Sequence, residues 1–256
     1  MDESRIENAM ESLTRALGVT DLTGRSFLDI GCGSGLFSLA AHRLGARVRS
    51  FDYDPQSVAA SGELRRRFAP DSDWEVRQGS ILDDAYTRSL GTYDIVYSWG
   101  VLHHTGAMWQ AIANASALVA PDGLLFISLY NDQGLNSRLW WQVKRHYVRS
   151  GPFARRVLVE ASGTYLGARA VLARTLRRAC GEPVDRGVRA RGMSARHDLV
   201  DWVGGFPFEV AAPDKVFAFL RERGFDLCFL KTCQGGIGCN EYVFNRTSAG
   251  HGDGAA

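Results

Sequence analysis

No stretch of this 256-residue chain holds the roughly twenty consecutive apolar residues that a bilayer-spanning helix needs, so an integral helical membrane protein is not expected. The amino terminus, MDESRIENAMESLTRALG, lacks the basic start and apolar core of a secretory signal. There is no CxxC pair. The five cysteines, Cys32, Cys180, Cys228, Cys233 and Cys239, are an odd number, and the spacing of the last three matches no zinc pattern. No metal centre is expected, and a reduced, cytoplasmic compartment is. The acceptor sequence Asn245-Arg246-Thr247 has no meaning without secretion.

Acidic residues are scarce in one place. Between Arg138 and Arg196, thirteen arginines and one lysine face only Glu160, Glu182 and Asp185, so this segment carries +11 and the remainder −9 beneath an overall charge of +2. Such a block suits an anionic partner or a solvated cationic helix face. With 45% hydrophobic residues the chain has ample material for a core.

After an amphipathic amino-terminal helix, strand and helix patterns alternate for about a hundred residues. Strands are predicted at Ser26 to Ile30, Arg47 to Asp52, Trp74 to Gln78, Tyr93 to Trp99 and Leu124 to Tyr130. Helices are predicted at Gly35 to Leu44, Pro55 to Phe68, Asp84 to Leu90 and Ala107 to Val119. This alternation implies a parallel sheet covered on both faces. From 131 to 196 the rhythm changes to a basic helical segment with aromatic residues at amphipathic spacing, read as an inserted cap. The chain then returns over 197–246 through a loop, DWVGGFPFEVA, a helix Asp214 to Arg223, a strand Phe225 to Lys231, the turn QGGIGCN and a strand Glu241 to Asn245. A turn this short makes the last two strands antiparallel neighbours. The tail, 247–256, is too small and polar to pack. The fold class is therefore α/β: a doubly wound seven-stranded sheet, parallel with an antiparallel last strand, flanked by helices and carrying a helical cap.

Between the first strand and its helix stands GCGSG, with Gly31, Gly33 and Gly35 at alternate positions. A dinucleotide loop has the form GxGxxG, but position 36 is Leu. Preceded by Asp29, the loop instead resembles the first motif of the class I, Rossmann-like S-adenosylmethionine-dependent methyltransferases, in particular the small-molecule branch that includes quinone-pathway and natural-product enzymes. Further motifs strengthen the likeness: Asp52 closes the second strand 21 positions after Gly31, RQGSILD ends the third, YDIVYSWGVLHHT the fourth, and LVAPDGLLFISLYN leads into the fifth.

The resemblance covers Ser26 to Tyr130 and extends to the final hairpin, but not to the cap. It implies S-adenosylmethionine as cofactor, with Asp29, Gly31, Gly33 and Gly35 around its amino-acid and ribose portions. Asp52 is expected on the ribose hydroxyls, Tyr53, Ser80 and Ile81 beside the adenine, and Trp99 under the methionine part. For Asp29, pinning the loop through backbone N–H groups is an equal alternative. Cys32 reads as a small buried filler.

A sulfonium already activates its methyl group, so alignment supplies most of the acceleration, and a hydroxyl acceptor additionally needs a base. His103 and His104, following the fourth strand, are the candidates, His104 ahead of His103. Tyr130 and Asn131, with Asp132, are placed to orient the acceptor, against the alternative that Asn131 and Asp132 cap the next helix. Trp202, Phe206 and Phe208 form either a wall of an aromatic acceptor pocket or anchors for the cap. Arg138, Lys144, Arg145, Arg191 and Arg196 suit an acidic group on the acceptor, against the alternative that most of the cap arginines are solvated.

The leading expectation is methylation of a small molecule, at oxygen ahead of nitrogen or carbon. An RNA methyltransferase using the basic cap is the second reading, although SWGV stands where an NPPY-type tetrapeptide would follow the fourth strand and no RNA-binding module is recognised. A non-catalytic S-adenosylmethionine-binding interaction protein is the third. A homodimer through the cap is a further expectation.

Overall fold

The computed structural model describes residues 3–180, 195–234, 236 and 238–247. The chain divides into two compact units, one of Met1–Gln133 with Glu209–Ala256 and one of Gly134–Phe208.

In the first unit the elements follow the order α1 (Glu3–Leu17), β1 (Ser26–Ile30), α2 (Leu36–Arg43), β2 (Arg47–Asp52), α3 (Pro55–Phe68), β3 (Glu75–Gln78), α4 (Asp84–Ser89), β4 (Tyr93–Trp99), α5 (Met108–Ala117) and β5 (Val119–Tyr130). The second unit holds α6 (Leu135–Arg149), α7 (Pro152–Ala179) and α8 (Ala195–Gly204). The chain then completes the first with α9 (Pro213–Arg221), β6 (Phe225–Lys231) and β7 (Cys239–Arg246).

The strand order is β3-β2-β1-β4-β5-β7-β6, with the first five parallel and β7 antiparallel to both β5 and β6. The doubly wound, seven-stranded sheet expected from the sequence is present. Successive strand residues point to opposite faces, and the burial follows that rule. Phe27, Ile95, Tyr97 and Phe126 pack with Ile6, Leu13, Leu39 and Leu64 of α1, α2 and α3. Their neighbours Leu28, Val96, Leu125 and Ile127 pack with Met108, Ile112, Val216 and Leu220 of α5 and α9. Both faces are covered, which is why these strands read as continuous apolar runs.

Local chemistry sets the ends of the elements. Pro55 starts α3 behind Asp54, whose carboxylate accepts from the backbone N–H of Gln56 and Ser57. Asp94 clamps the start of β4 to β1, its Oδ2 accepting from Ser26 N and Ser26 Oγ, both at 2.7 Å.

Most helix ends, and both ends of β7, which runs from Cys239 and not Glu241, differ from expectation by one or two residues, and three further differences have a local cause. β3 begins at Glu75, because Trp74 turns wholly into the core and its Nε1 donates to Ser50 Oγ at 2.7 Å. β5 begins at Val119: the chain pairs at once with Tyr93 and passes an irregularity at Asp122, whose φ is 59°, before the regular register resumes. Most of the DWVGG stretch is the end of α8 and not a loop. Expectations for 181–194, for the side chains of Arg196 and His197, and for 248–256 lie outside the described residues.

Within the second unit, α6 buries Ser137, Trp140 and Lys144, one stripe at spacings of three and four. Trp140 packs edge-on against Trp202 of α8, ring centroids 4.3 Å apart, and Val159 and Ser162 of α7 are buried.

Candidate active site

Residues 31–35 leave the carboxyl end of β1, the edge at which doubly wound sheets bind ligands. Gly31, Gly33 and Gly35 take φ of 74°, 54° and 80°, a region in which side chains are strained. Their surroundings differ. A Cβ on Gly31 would stand 2.3 Å from Val101 Cγ2 and one on Gly35 would meet Ser61 Oγ at 2.8 Å, whereas one on Gly33 would meet nothing within 4 Å. Gly31 and Gly35 thus answer to the protein's own packing. Gly33 presents bare main chain to open space.

Asp52, at the end of β2, holds this loop. Its Oδ2 accepts from Gly33 N at 2.9 Å and its Oδ1 from Asp54 N at 3.0 Å. A carboxylate has about four acceptor positions, and among the described residues these two donors occupy two of them. The carbonyl of Phe51 takes the amides of Gly31 and Cys32 at 2.8 and 3.2 Å, and Ser61 Oγ donates to Gly33 O at 2.9 Å.

The alternative role for Asp29, pinning these amides, is corrected: they go to Asp52 and Phe51. Asp29 is wholly buried, with Ser38 Oγ donating to its Oδ2 at 2.5 Å. Ser38 in turn meets Ser50 Oγ at 2.7 Å, and Trp74 closes the chain. Burial pushes the Asp29 carboxyl up to about 7, despite the hydrogen bond from Ser38. Burial, and then the charge of Asp29, push the Cys32 thiol up to about 12, which leaves it inert.

Tyr53 is 78% exposed, and its carbonyl accepts from Gln78 Nε2 at 3.1 Å. Past β3, Ser80 Oγ accepts from Leu82 N at 3.2 Å, and buried Ile81 is held by Asn114 Nδ2 donating to its carbonyl at 2.8 Å. Half-buried Trp99, closing β4, donates through Nε1 to Glu241 Oε1 of β7 at 3.3 Å.

Beyond β4 a single 3₁₀ turn, Leu102–His104, carries both histidines and is closed by His104 N donating to Val101 O at 2.9 Å. It gives them different environments. His103 is buried, its ring centroid 4.1 Å from that of Tyr130, while His104 is half-exposed with its ring 5.5 Å from Tyr130 and perpendicular to it. His104 is the one a bound molecule can reach.

Asn131 braces the end of β5: its Oδ1 accepts from Asn240 Nδ2 at 3.0 Å, and it bridges to Ala211. The expectation that Asn131 or Asp132 caps the following helix is corrected, since Gly134 is the N-cap of α6 and no side chain caps it. Trp202 and Phe206 belong to the second unit, where Trp202 packs on Trp140 and Phe206 on Trp141 with centroids 6.1 Å apart.

One structural group escaped the sequence, and Lys144, expected to meet an anionic acceptor, is corrected to a buried position. Glu209 accepts Met108 N on both oxygens, at 3.2 and 3.0 Å, stabilising the start of α5, and its own N–H donates to His103 O at 3.0 Å. It thereby ties the histidine turn to that helix. No local pattern signals a contact across that separation. Lys144 is fully buried in the second unit, its ammonium 4.4 Å above the Trp202 ring and bonded to the Trp202 carbonyl. Burial lowers its pKa to about 7. Here a signal existed: Lys144 lies on the Ser137–Trp140 stripe.

A covered parallel sheet, with bare main chain after its first strand and an acid closing its second, defines a nucleoside-binding α/β domain. Residues 1–157 match the family described as methyltransferase domain, and the chain belongs to that family. It is 34% identical over 110 residues to a ubiquinone biosynthesis O-methyltransferase of Methylocella silvestris, covering 43% of this chain and 41% of the relative. It is 29% identical over 127 residues to the enzyme of that name from Burkholderia cenocepacia, covering 50% and 53%. The chain spans about half the length of the curated relatives it matches.

Two solved structures share the fold. Magnesium protoporphyrin IX methyltransferase from Synechocystis PCC 6803 aligns with a TM-score of 0.55 at 15% identity, over 95% of this chain and 83% of that one. The N-methyltransferase NodS from Bradyrhizobium japonicum WM9 aligns with a TM-score of 0.52 at 16% identity, over 94% and 87%.

Proposed function

We propose that the chain is an S-adenosylmethionine-dependent methyltransferase acting on a small-molecule hydroxyl, with His104 as the base. The observation that carries this reading is the pairing of open main chain at Gly33 with the two unused acceptor positions of Asp52, 2.9 Å apart as hydrogen-bond partners. Together they suit a nucleoside bearing a ribose diol. The structures of the Synechocystis and Bradyrhizobium enzymes were determined with S-adenosylhomocysteine bound, which supports the same cofactor. The hydroxyl acceptor draws support from the relatives' names, both O-methyltransferases.

Bound S-adenosylmethionine supplies a methyl group activated by its sulfonium. Asp52 grips the ribose, and Gly33 lets the main chain lie against the nucleoside. His104 takes the acceptor's proton at a ring nitrogen while Tyr130 and His103 confine the imidazole. An aromatic acceptor suits the Tyr130 ring.

Calorimetry with S-adenosylmethionine and S-adenosylhomocysteine tests the cofactor, and binding of neither ends the proposal. Labelled-methyl transfer over metabolite and RNA fractions finds the acceptor; label in RNA alone would replace the small molecule with a nucleic acid. His104→Gln should lower kcat by about 10²- to 10⁴-fold and remove the ascending limb of the pH–rate profile, with cofactor affinity retained. An unchanged rate removes His104 as the base.

A further inference from the structure

The second unit contains a long helix with two unlike sides. α7 runs for 28 residues, about 42 Å at 1.5 Å per residue. One side carries Val159, Ser162 and Gly163: the first two are buried, and a Cβ on Gly163 would press to 2.8 Å from Leu199 of α8. The opposite side, at helical spacing, carries Phe153, Val157, Ala161, Thr164, Ala168, Val171, Leu172 and Thr175, all exposed. Phe153, Val157, Val171 and Leu172 stand 51 to 82% exposed.

That face has no charged residue. Its two hydroxyls are already spent within the helix, Thr164 Oγ1 donating to Glu160 O at 2.9 Å and Thr175 Oγ1 to Val171 O at 3.0 Å. The threonines therefore add methyl surface without an unmet donor. The helix sequence holds six arginines against the single Glu160, a net +5.

We propose that this face of α7 docks on an anionic lipid surface, lying in the headgroup plane with its apolar side down and Arg169, Arg174 and Arg178 reaching lipid phosphates from the flanks. Charge decides the occupant. A second copy would bring six arginines against six, with one glutamate each to offset them, whereas a phosphatidylglycerol surface complements the helix. A nucleic acid would need cations on the exposed face, which has none. Among the described residues no helix is long and apolar enough to cross the membrane, so the geometry is that of a helix lying on it.

Sedimentation of the whole chain with phosphatidylcholine vesicles, with and without phosphatidylglycerol, provides the test. The protein should pellet with the anionic vesicles, remain in solution with the neutral ones, and be released by salt. The double variant Val157→Asp, Leu172→Asp should bind at least about tenfold more weakly. Arg169→Gln with Arg174→Gln should weaken binding by roughly fivefold or more per arginine. Both positions of the apolar pair are exposed, so helical content by circular dichroism and the melting temperature should stay unchanged. No binding to anionic vesicles overturns the proposal, as does equal binding to neutral ones. A dimer that the double variant dissociates, seen by sedimentation velocity without vesicle binding, also overturns it and makes the face a subunit interface.

Discussion

Each unit buries a charge-bearing side chain whose pKa is thereby brought close to neutrality, and they do so in opposite ways. In the α/β unit it is an acid, Asp29, wired through Ser38 and Ser50 to Trp74. In the helical unit it is a base, Lys144, enclosed by the rings of Trp202 and Phe208. Burial brings both to about 7, the acid from below and the base from above. Between about pH 4 and 7 the unfolded Asp29 is ionised and the folded one still protonated, so stability is withdrawn as pH rises through that window. Between about 7 and 10.5 the unfolded Lys144 is charged and the folded one neutral, so stability returns as pH rises. The units therefore pull in opposite directions, and the chain is least favoured near neutrality on account of these two groups.

The largest expected change comes from removing the buried base. Lys144→Met keeps the volume and the aromatic contacts, so chemical denaturation at pH 6 should show stability raised by on the order of 4 kcal/mol. The rise above pH 7 should flatten; an unaltered slope would mean that Lys144 stays charged. Asp52→Ala attacks the α/β unit where fold and site share a carboxylate. Loss of its hydrogen bonds should weaken S-adenosylhomocysteine binding by roughly a hundredfold, about 3 kcal/mol, in calorimetry.

Smaller effects sharpen the contrast. Asp29→Asn can still accept from Ser38 and carries no charge, so it should exceed the wild type in stability at pH 8, an advantage that vanishes near pH 4. A gain that persisted at pH 4 would assign the effect to packing. Asp54→Ala removes the cap of α3 and should cost about 1 kcal/mol at neutral pH, seen in thermal melts.

The α/β unit was legible because its information is local. Apolar strands, the glycines of GCGSG, the Asp54-Pro55 start of α3 and the acid closing β2 are each written within a few residues, and the order of motifs gave the sheet. What escaped depends on contacts between distant segments. Asp29 and Asp52 are both strand acids, and nothing in sequence says that one faces the sealed core while the other takes the loop amides. Glu209 reaches the start of α5 from the far side of the helical segment. Lys144, expected to meet an acidic acceptor within a segment of net +11, is instead sealed in the helical unit, as its place beside Trp140 on one helix face implies. DWVGG reads as a loop through its glycines, yet Gly204 ends α8 with the Tyr147 ring 3.2 Å from where its Cβ would be.

The tightness at Gly31 reaches beyond the loop itself. There is no room for a methyl group between it and Val101, and the Val101 carbonyl closes the turn that presents both imidazoles. Loop and turn meet through the Val101 side chain, so on the proposed function a nucleoside that displaces the loop should press on the histidine turn. If the loop holds the cofactor and His104 takes the proton, as proposed, this contact would carry occupancy of one to the other without a hinge. Seating of the acceptor should accordingly be sensitive to what the loop already holds.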